Sequence, residues 1–129
     1  MDKDTVQVPK KVTSDMYNDF IRDFSKVKVK EALFHMNTGK AIGPDGFTTL
    51  FYKKYWHIVG SEVTRVILEF FNKRRDLPNV NHTSIMMIQK TTAPKYVKDF
   101  RPINLCNNIY KIIMKTLANR LKCLCAWKK

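Results

Sequence analysis

Apolar residues recur along this chain at spacings of three and four, except in one stretch where they run together. From Thr13 to Phe24 they fall at Met16, Tyr17, Phe20, Ile21 and Phe24, the rhythm of a short helix capped by Thr13 or Ser14. Val29, Ala32, Leu33 and Met36 then occupy positions i, i+3, i+4 and i+7. One face of a helix over about Lys26 to Met36 is therefore apolar. Ser25 is its expected N-cap, although Lys28 stands where a capping box has Glu or Gln. Thr38 to Gly46 breaks the pattern, and Gly43-Pro44-Asp45-Gly46 reads as a tight turn with φ preset by Pro44. Rings at Phe47, Phe51, Tyr52, Tyr55 and Trp56 predict a helix from Phe47 to Ile58, ended by Gly60. Ser61 then caps another to about Lys73, with Val63, Val66, Ile67, Phe70 and Phe71 facing inward.

Past Asp76-Leu77-Pro78 the period changes. Thr83 to Gln89, TSIMMIQ, is a short apolar run with a β-branched start and predicts a strand. Lys90 to Lys98 is a polar turn, and Phe100 to Leu105 returns as a second strand that Pro102 confines to an edge or a bend. Asn107 or Asn108 opens a last helix running to about Leu124. Its apolar stripe is Ile109, Ile112, Ile113, Leu117, Leu121 and Leu124, which leaves Lys111, Lys115, Arg120 and Lys122 for the other faces. The predicted fold class is α+β and mostly helical, with a small antiparallel β-hairpin followed by a basic amphipathic helix. Residues 1–23 form a polar lead-in with a short helix, 24–124 the main unit and 125–129 a basic tail.

A length of 129 residues, 44% of them hydrophobic, suits one domain with a real core. Charge changes the picture more. The formal net charge is +13, and from Lys90 onward ten Lys/Arg face one acid, Asp99. Such an excess suits a polyanion, either nucleic acid or an anionic membrane surface. No run approaches the roughly 18 apolar residues of a membrane span, and the opening MDKDTVQVPKK lacks the apolar core of a secretory signal. The three cysteines, Cys106, Cys123 and Cys125, fit free thiols in a reducing intracellular compartment. No His follows the C-x-C pair to complete a zinc set.

The hairpin carries the sharpest candidate chemistry. Lys90 lies where the first strand ends and Arg101 where the second begins, so antiparallel pairing brings both cations to neighbouring parts of one ribbon. A planar guanidinium fork and a mobile ammonium suit a triphosphate. The turn Gly43–Gly46 is either a plain connector or a nest of N–H groups for phosphate; no G-K-[ST] follows it to make a P-loop. The rings from Phe47 to Trp56 are core or a base-stacking platform. The basic helix could track a phosphate backbone through Lys111, Lys115 and Arg120. His35, His57 and His82 are too far apart in sequence to suggest a catalytic or metal set. Nucleotidyl transfer needs carboxylates that hold divalent cations. After Asp76 the only acid is Asp99, and no D-D or D-x-D pair follows Asp4.

Three blocks, VKEALFHMNTGKAIGPDGFTTLFYKKYWHIVG, NHTSIMMIQK and DFRPINLCNNIYKIIMKTLANRLK, resemble in order and spacing the start of the reverse transcriptase domain of plant non-LTR (LINE-type) retrotransposons. The resemblance covers about Phe24 to Lys122. It implies a fingers-like subdomain of a right-hand polymerase, with Lys90 and Arg101 as the cations that grip the incoming deoxynucleoside triphosphate. Gly43, Pro44, Asp45 and Gly46 match the family's early motif near the template path, and RNA/DNA template-primer is the implied partner. Ile42, Gln89 and Asn104 depart from the family's usual Pro, Pro and Ser, and none of these changes removes a cation. Mg²⁺ is expected for the complete domain. The family's catalytic carboxylates lie beyond the last matching block, so the chain is expected to be a truncated piece, inactive alone. A non-catalytic nucleic-acid-binding module and a decayed reading frame with no selected function are the competing expectations.

Overall fold

The computed structural model describes residues 12–77 and 80–126. The first part of the expected lead-in, residues 1–11, and the end of the tail, 127–129, lie outside them. In chain order the elements are α1 (Ser14–Ile21), α2 (Lys26–His35), α3 (Thr49–Lys54), α4 (Trp56–Lys73), β1 (Thr83–Gln89), a 3₁₀ turn (Val97–Asp99), β2 (Phe100–Cys106) and α5 (Asn108–Ala126). Among the described residues the chain is thus mixed helix and strand with one two-stranded hairpin.

Local signals account for most of these boundaries. Thr13 Oγ1 accepts from the Met16 N–H at 3.3 Å and starts α1, and Thr48 Oγ1 accepts from the Phe51 N–H at 3.0 Å and starts α3. Ser25 has the extended backbone of an N-cap but makes no side-chain cap bond. Lys28, at the capping-box position, pairs instead with Glu31 at 3.1 Å.

The expected helix stop at Gly60 is not there. The break falls earlier, at Tyr55 (φ −102°, ψ 19°), and α4 runs on through Gly60 and Ser61. Gly60 is a packing residue. A Cβ at this position would sit 2.7 Å from the Cε2 of Trp56, so its missing side chain lets the indole fold back over its own helix.

The core joins four helices. Val29 and Leu33 of α2, Tyr52 of α3, Val63 and Ile67 of α4, and Ile112 and Ile113 of α5 form one buried cluster, with Met36 beside them. Each such aliphatic side chain contributes about 1.5–3 kcal/mol when fully buried. α2 covers the first half of the α5 stripe, whereas Leu121, near the far end, remains exposed. Of the ring run, Tyr52 is buried, Phe51 and Trp56 pack against the core, and Phe47 stays largely exposed.

A second cluster fastens α1 to α5. The Arg120 guanidinium lies 3.3 Å over the Phe24 ring, and Phe71 stacks on Phe24 at 3.9 Å; the two must take opposite faces. Arg120 also donates to the carbonyls of Phe20 (2.9 Å), Arg22 and Asp23 (3.3 Å). These oxygens lie at and just past the C-terminal end of α1, where the helix dipole favours a cation. Partial burial lowers the affinity of Arg120 for its proton, and nearby Arg22 adds to this. Asn72 completes the joint, donating to the Phe24 carbonyl at 3.3 Å and accepting from its N–H at 3.1 Å.

Removing this guanidinium strips the donor from the part-buried Phe20 carbonyl and uncovers one face of the Phe24 ring. Arg120→Ala is expected to lower unfolding free energy by about 2 kcal/mol in urea denaturation. Arg120→Lys keeps the charge but not the fork, and is expected to recover less than half of that loss.

Candidate nucleic-acid interface

The hairpin strands pair antiparallel in the register Ile88↔Arg101 and Gln89↔Phe100. The Lys90 N–H donates to the Asp99 carbonyl at 2.7 Å, extending the pairing one step. Side chains alternate along a strand and directly opposed residues share a face. Lys90 and Arg101 therefore fall on one face of the ribbon as diagonal neighbours. Both are exposed. Lys90 Nζ donates to the Lys98 carbonyl at 2.9 Å, whereas Arg101 makes no hydrogen bond or ion pair among the described residues.

Asp99, the hairpin's single acid, turns inward. Its Oδ2 accepts from the N–H groups of Lys95 and Tyr96, both at 3.0 Å. The ribbon end is therefore strongly positive, with Lys90, Lys95, Lys98 and Arg101 around one internally engaged carboxylate. That engagement also bears on Mg²⁺. Among the described residues no three His, Cys, Asp or Glu side chains gather closely enough to hold a metal. The described residues therefore do not fit a catalytic cation.

The turn Gly43–Gly46 closes with the Gly46 N–H donating to the Gly43 carbonyl at 3.0 Å. Gly46 takes a positive φ of 76°. Asp45 Oδ1 accepts from Phe47 N–H at 3.1 Å, and Asp45 N–H donates to Asn107 Oδ1 at 3.1 Å. The N–H groups from Asp45 to Phe47 thus all have internal acceptors, and Pro44 has none to offer. This geometry is that of a connector rather than an anion nest.

The connector is clamped onto the start of α5. The Asn108 side chain, 1% exposed, donates through Nδ2 to the Phe47 carbonyl and accepts at Oδ1 from the Thr49 hydroxyl at 2.8 Å. Lys111 Nζ donates to the Ala41 carbonyl at 2.8 Å. Gly43 lies against the same junction. A Cβ there would meet the Cys106 carbonyl carbon at 2.6 Å and the Asn107 Cα at 2.8 Å, both backbone atoms that cannot swing aside. Residues 41–49 and 106–111 thus form one unit.

The cations of α5 do not share one surface. Nine residues separate Lys111 from Arg120, about two and a half helical turns, so they point to opposite sides. Arg120 serves the α1 joint. Lys111 and Lys115, one turn apart, line a groove with Lys40 and Tyr110.

No family model matches the chain. Over 100 residues, 77% of this chain, it is 31% identical to the transposon TX1 uncharacterized 149 kDa protein of Xenopus laevis. The chain spans about 8% of that protein's length. Among the described residues no helix is long and apolar enough to cross a membrane.

The sequence reading singled out the turn, the hairpin cations and the α5 lysines, and missed Asn107 and Asn108 as the parts that bind turn to helix. An Asn pair at a helix start resembles ordinary capping; only the long-range partners distinguish it. Lys40 was missed for the same reason, since it lies in the loop far from α5 in sequence.

Gly43→Ala is expected to destabilise by about 2–3 kcal/mol, read by denaturant unfolding. Asn108→Ala is expected to cost a similar amount, because it leaves the Phe47 carbonyl without its donor. Burial, with Asp45 adding to it, raises the Tyr52 hydroxyl from 10.0 to about 12. The folded state therefore holds this proton more tightly than the unfolded chain. The contribution is complete below pH 10 and is lost as pH rises through about 12. Tyr52→Phe should flatten that alkaline loss relative to the parent chain, measured by unfolding across the range.

Proposed function

We propose that this chain derives from a retrotransposon and is the nucleotide- and template-gripping stretch of an RNA-directed DNA polymerase. The observation that carries the reading is the hairpin register: it sets Lys90 and Arg101 on one ribbon face and leaves the Arg101 guanidinium without an intramolecular partner. The similarity to a transposon protein over most of the chain supports the origin. The three motif blocks support the finer assignment to the LINE-type class and to a fingers-like subdomain.

In this reading the Arg101 fork engages two phosphate oxygens, and the Lys90 ammonium swings from the Lys98 carbonyl to a third. Together they neutralise triphosphate charge and hold the reacting phosphoryl group in line for attack by a primer hydroxyl. The Gly43–Gly46 unit supports the template side by fixing the loop against α5. The carboxylates that would hold Mg²⁺ are not supplied by the described residues, so this stretch binds without polymerising.

Titration calorimetry with a deoxynucleoside triphosphate tests the grip. Replacing Lys90 and Arg101 together by Ala is expected to weaken binding at least tenfold, about 1.4 kcal/mol. Unchanged affinity would sink the assignment. Primer extension on an RNA template should give no product with the purified chain; templated product would overturn the claim of binding without polymerisation.

A further inference from the structure

The end of α2 and the basic side of α5 enclose a groove of about 470 Å³. Its polar lining includes His35, Lys40, Lys111 and Lys115, and Tyr110 and Met114 add apolar surface. No carboxylate lines it. The C-terminal end of a helix would ordinarily repel an anion here. Lys53 removes that obstacle, since its Nζ caps the Phe34 carbonyl at 3.1 Å and the Met36 carbonyl at 2.6 Å. Lys111 is occupied with Ala41. The Lys40 and Lys115 side chains make no hydrogen bond or ion pair among the described residues and are available to a ligand.

We propose that this groove seats one nucleotide of a single-stranded nucleic acid, its phosphodiester between Lys40 and Lys115 and its base against Tyr110 and Met114. The volume lies in the range of sites for small ligands, about 300–1,000 Å³. An aromatic ring beside lysines is the arrangement that holds an unpaired base and its phosphate. A duplex keeps its base faces stacked on one another and cannot present one to Tyr110. The proposal deepens the polymerase reading, on which it rests for the identity of the strand, and it locates that strand away from the hairpin cations.

The test is binding of the full chain to a fluorescent single-stranded RNA, the same sequence as DNA, an abasic strand and an RNA duplex, each across a salt series. Neither the Lys40 nor the Lys115 side chain holds a hydrogen bond or ion pair among the described residues, so the variant Lys40→Ala/Lys115→Ala is expected to keep the parent fold, checked by its circular dichroism and urea midpoint. It is expected to bind the single strand roughly tenfold more weakly and to lower the salt slope by about 0.7 per lysine. The abasic strand should bind several-fold more weakly than the intact one. Duplex binding as tight as single-strand binding overturns the proposal, as does an affinity and slope unchanged in the double variant. The Lys90/Arg101 variant separates the two readings. If it loses triphosphate while the groove variant keeps full RNA affinity, the groove fails and the hairpin grip stands; the reverse pattern sinks the grip and keeps the groove.

Discussion

The clamp between residues 41–49 and the first turn of α5 is the constraint on which the rest of the structure depends. Asn108 is almost wholly buried and uncharged, and both ends of its amide are bonded to the loop that follows the Gly43–Gly46 turn. Gly43 is pressed against the peptide linking β2 to α5, with no room for a side chain. A buried amide left half-satisfied is costly, so this junction has one favourable arrangement. It sets where α5 starts, hence which α5 residues meet α2, and it sets the direction in which β2 leaves. The turn motif and the motif at the end of the hairpin are sixty residues apart in sequence, roughly, yet they form a single packed unit.

A cation excess of this size shapes the interior contacts as well as the surface. With 24 Lys/Arg against 11 Asp/Glu, most basic side chains cannot have a carboxylate. Several bond main-chain carbonyls instead: Lys53 at the end of α2, Lys90 at Lys98, Lys111 at Ala41 and Arg120 beyond α1. Such bonds use the charge to close helix ends and fix loops. They divide the basic residues into those that hold the fold and those whose side chains have no such bond among the described residues. Arg101, Lys40 and Lys115 belong to the second group, whereas Arg120 belongs to the first.

The α5 stripe is covered at its first half and bare at Leu121, and further exposed apolar surface lies elsewhere. That stripe looks like a face awaiting a missing neighbour, yet α2 buries Ile112 and Ile113. A run of bare apolar residues lies on the hairpin, where Ile85 is 67% and Met86 55% exposed. Successive strand residues point to opposite faces, so neither face of β1 is covered at these positions. An exposed apolar ribbon of this kind favours association with another surface.

Periodicity alone determined the helices near 14–21, 26–35 and 108–126, and both strands with their turn, because these follow from local burial patterns and the preferences of single residues. The pairing of Lys90 with Arg101 was legible too, since a hairpin brings its own ends together. The break at Tyr55 was not, because Gly60 reads as a helix stop until the Trp56 ring is seen lying on it. Nor could the sequence separate Arg120 and Lys111 from Lys115, as each is a basic residue on a helix. That division depends on carbonyls supplied by α1 and by the loop before α3. Local pattern sets which segments coil or extend, but a charged side chain takes its role from the groups that folding places beside it, and those groups come from distant parts of the chain.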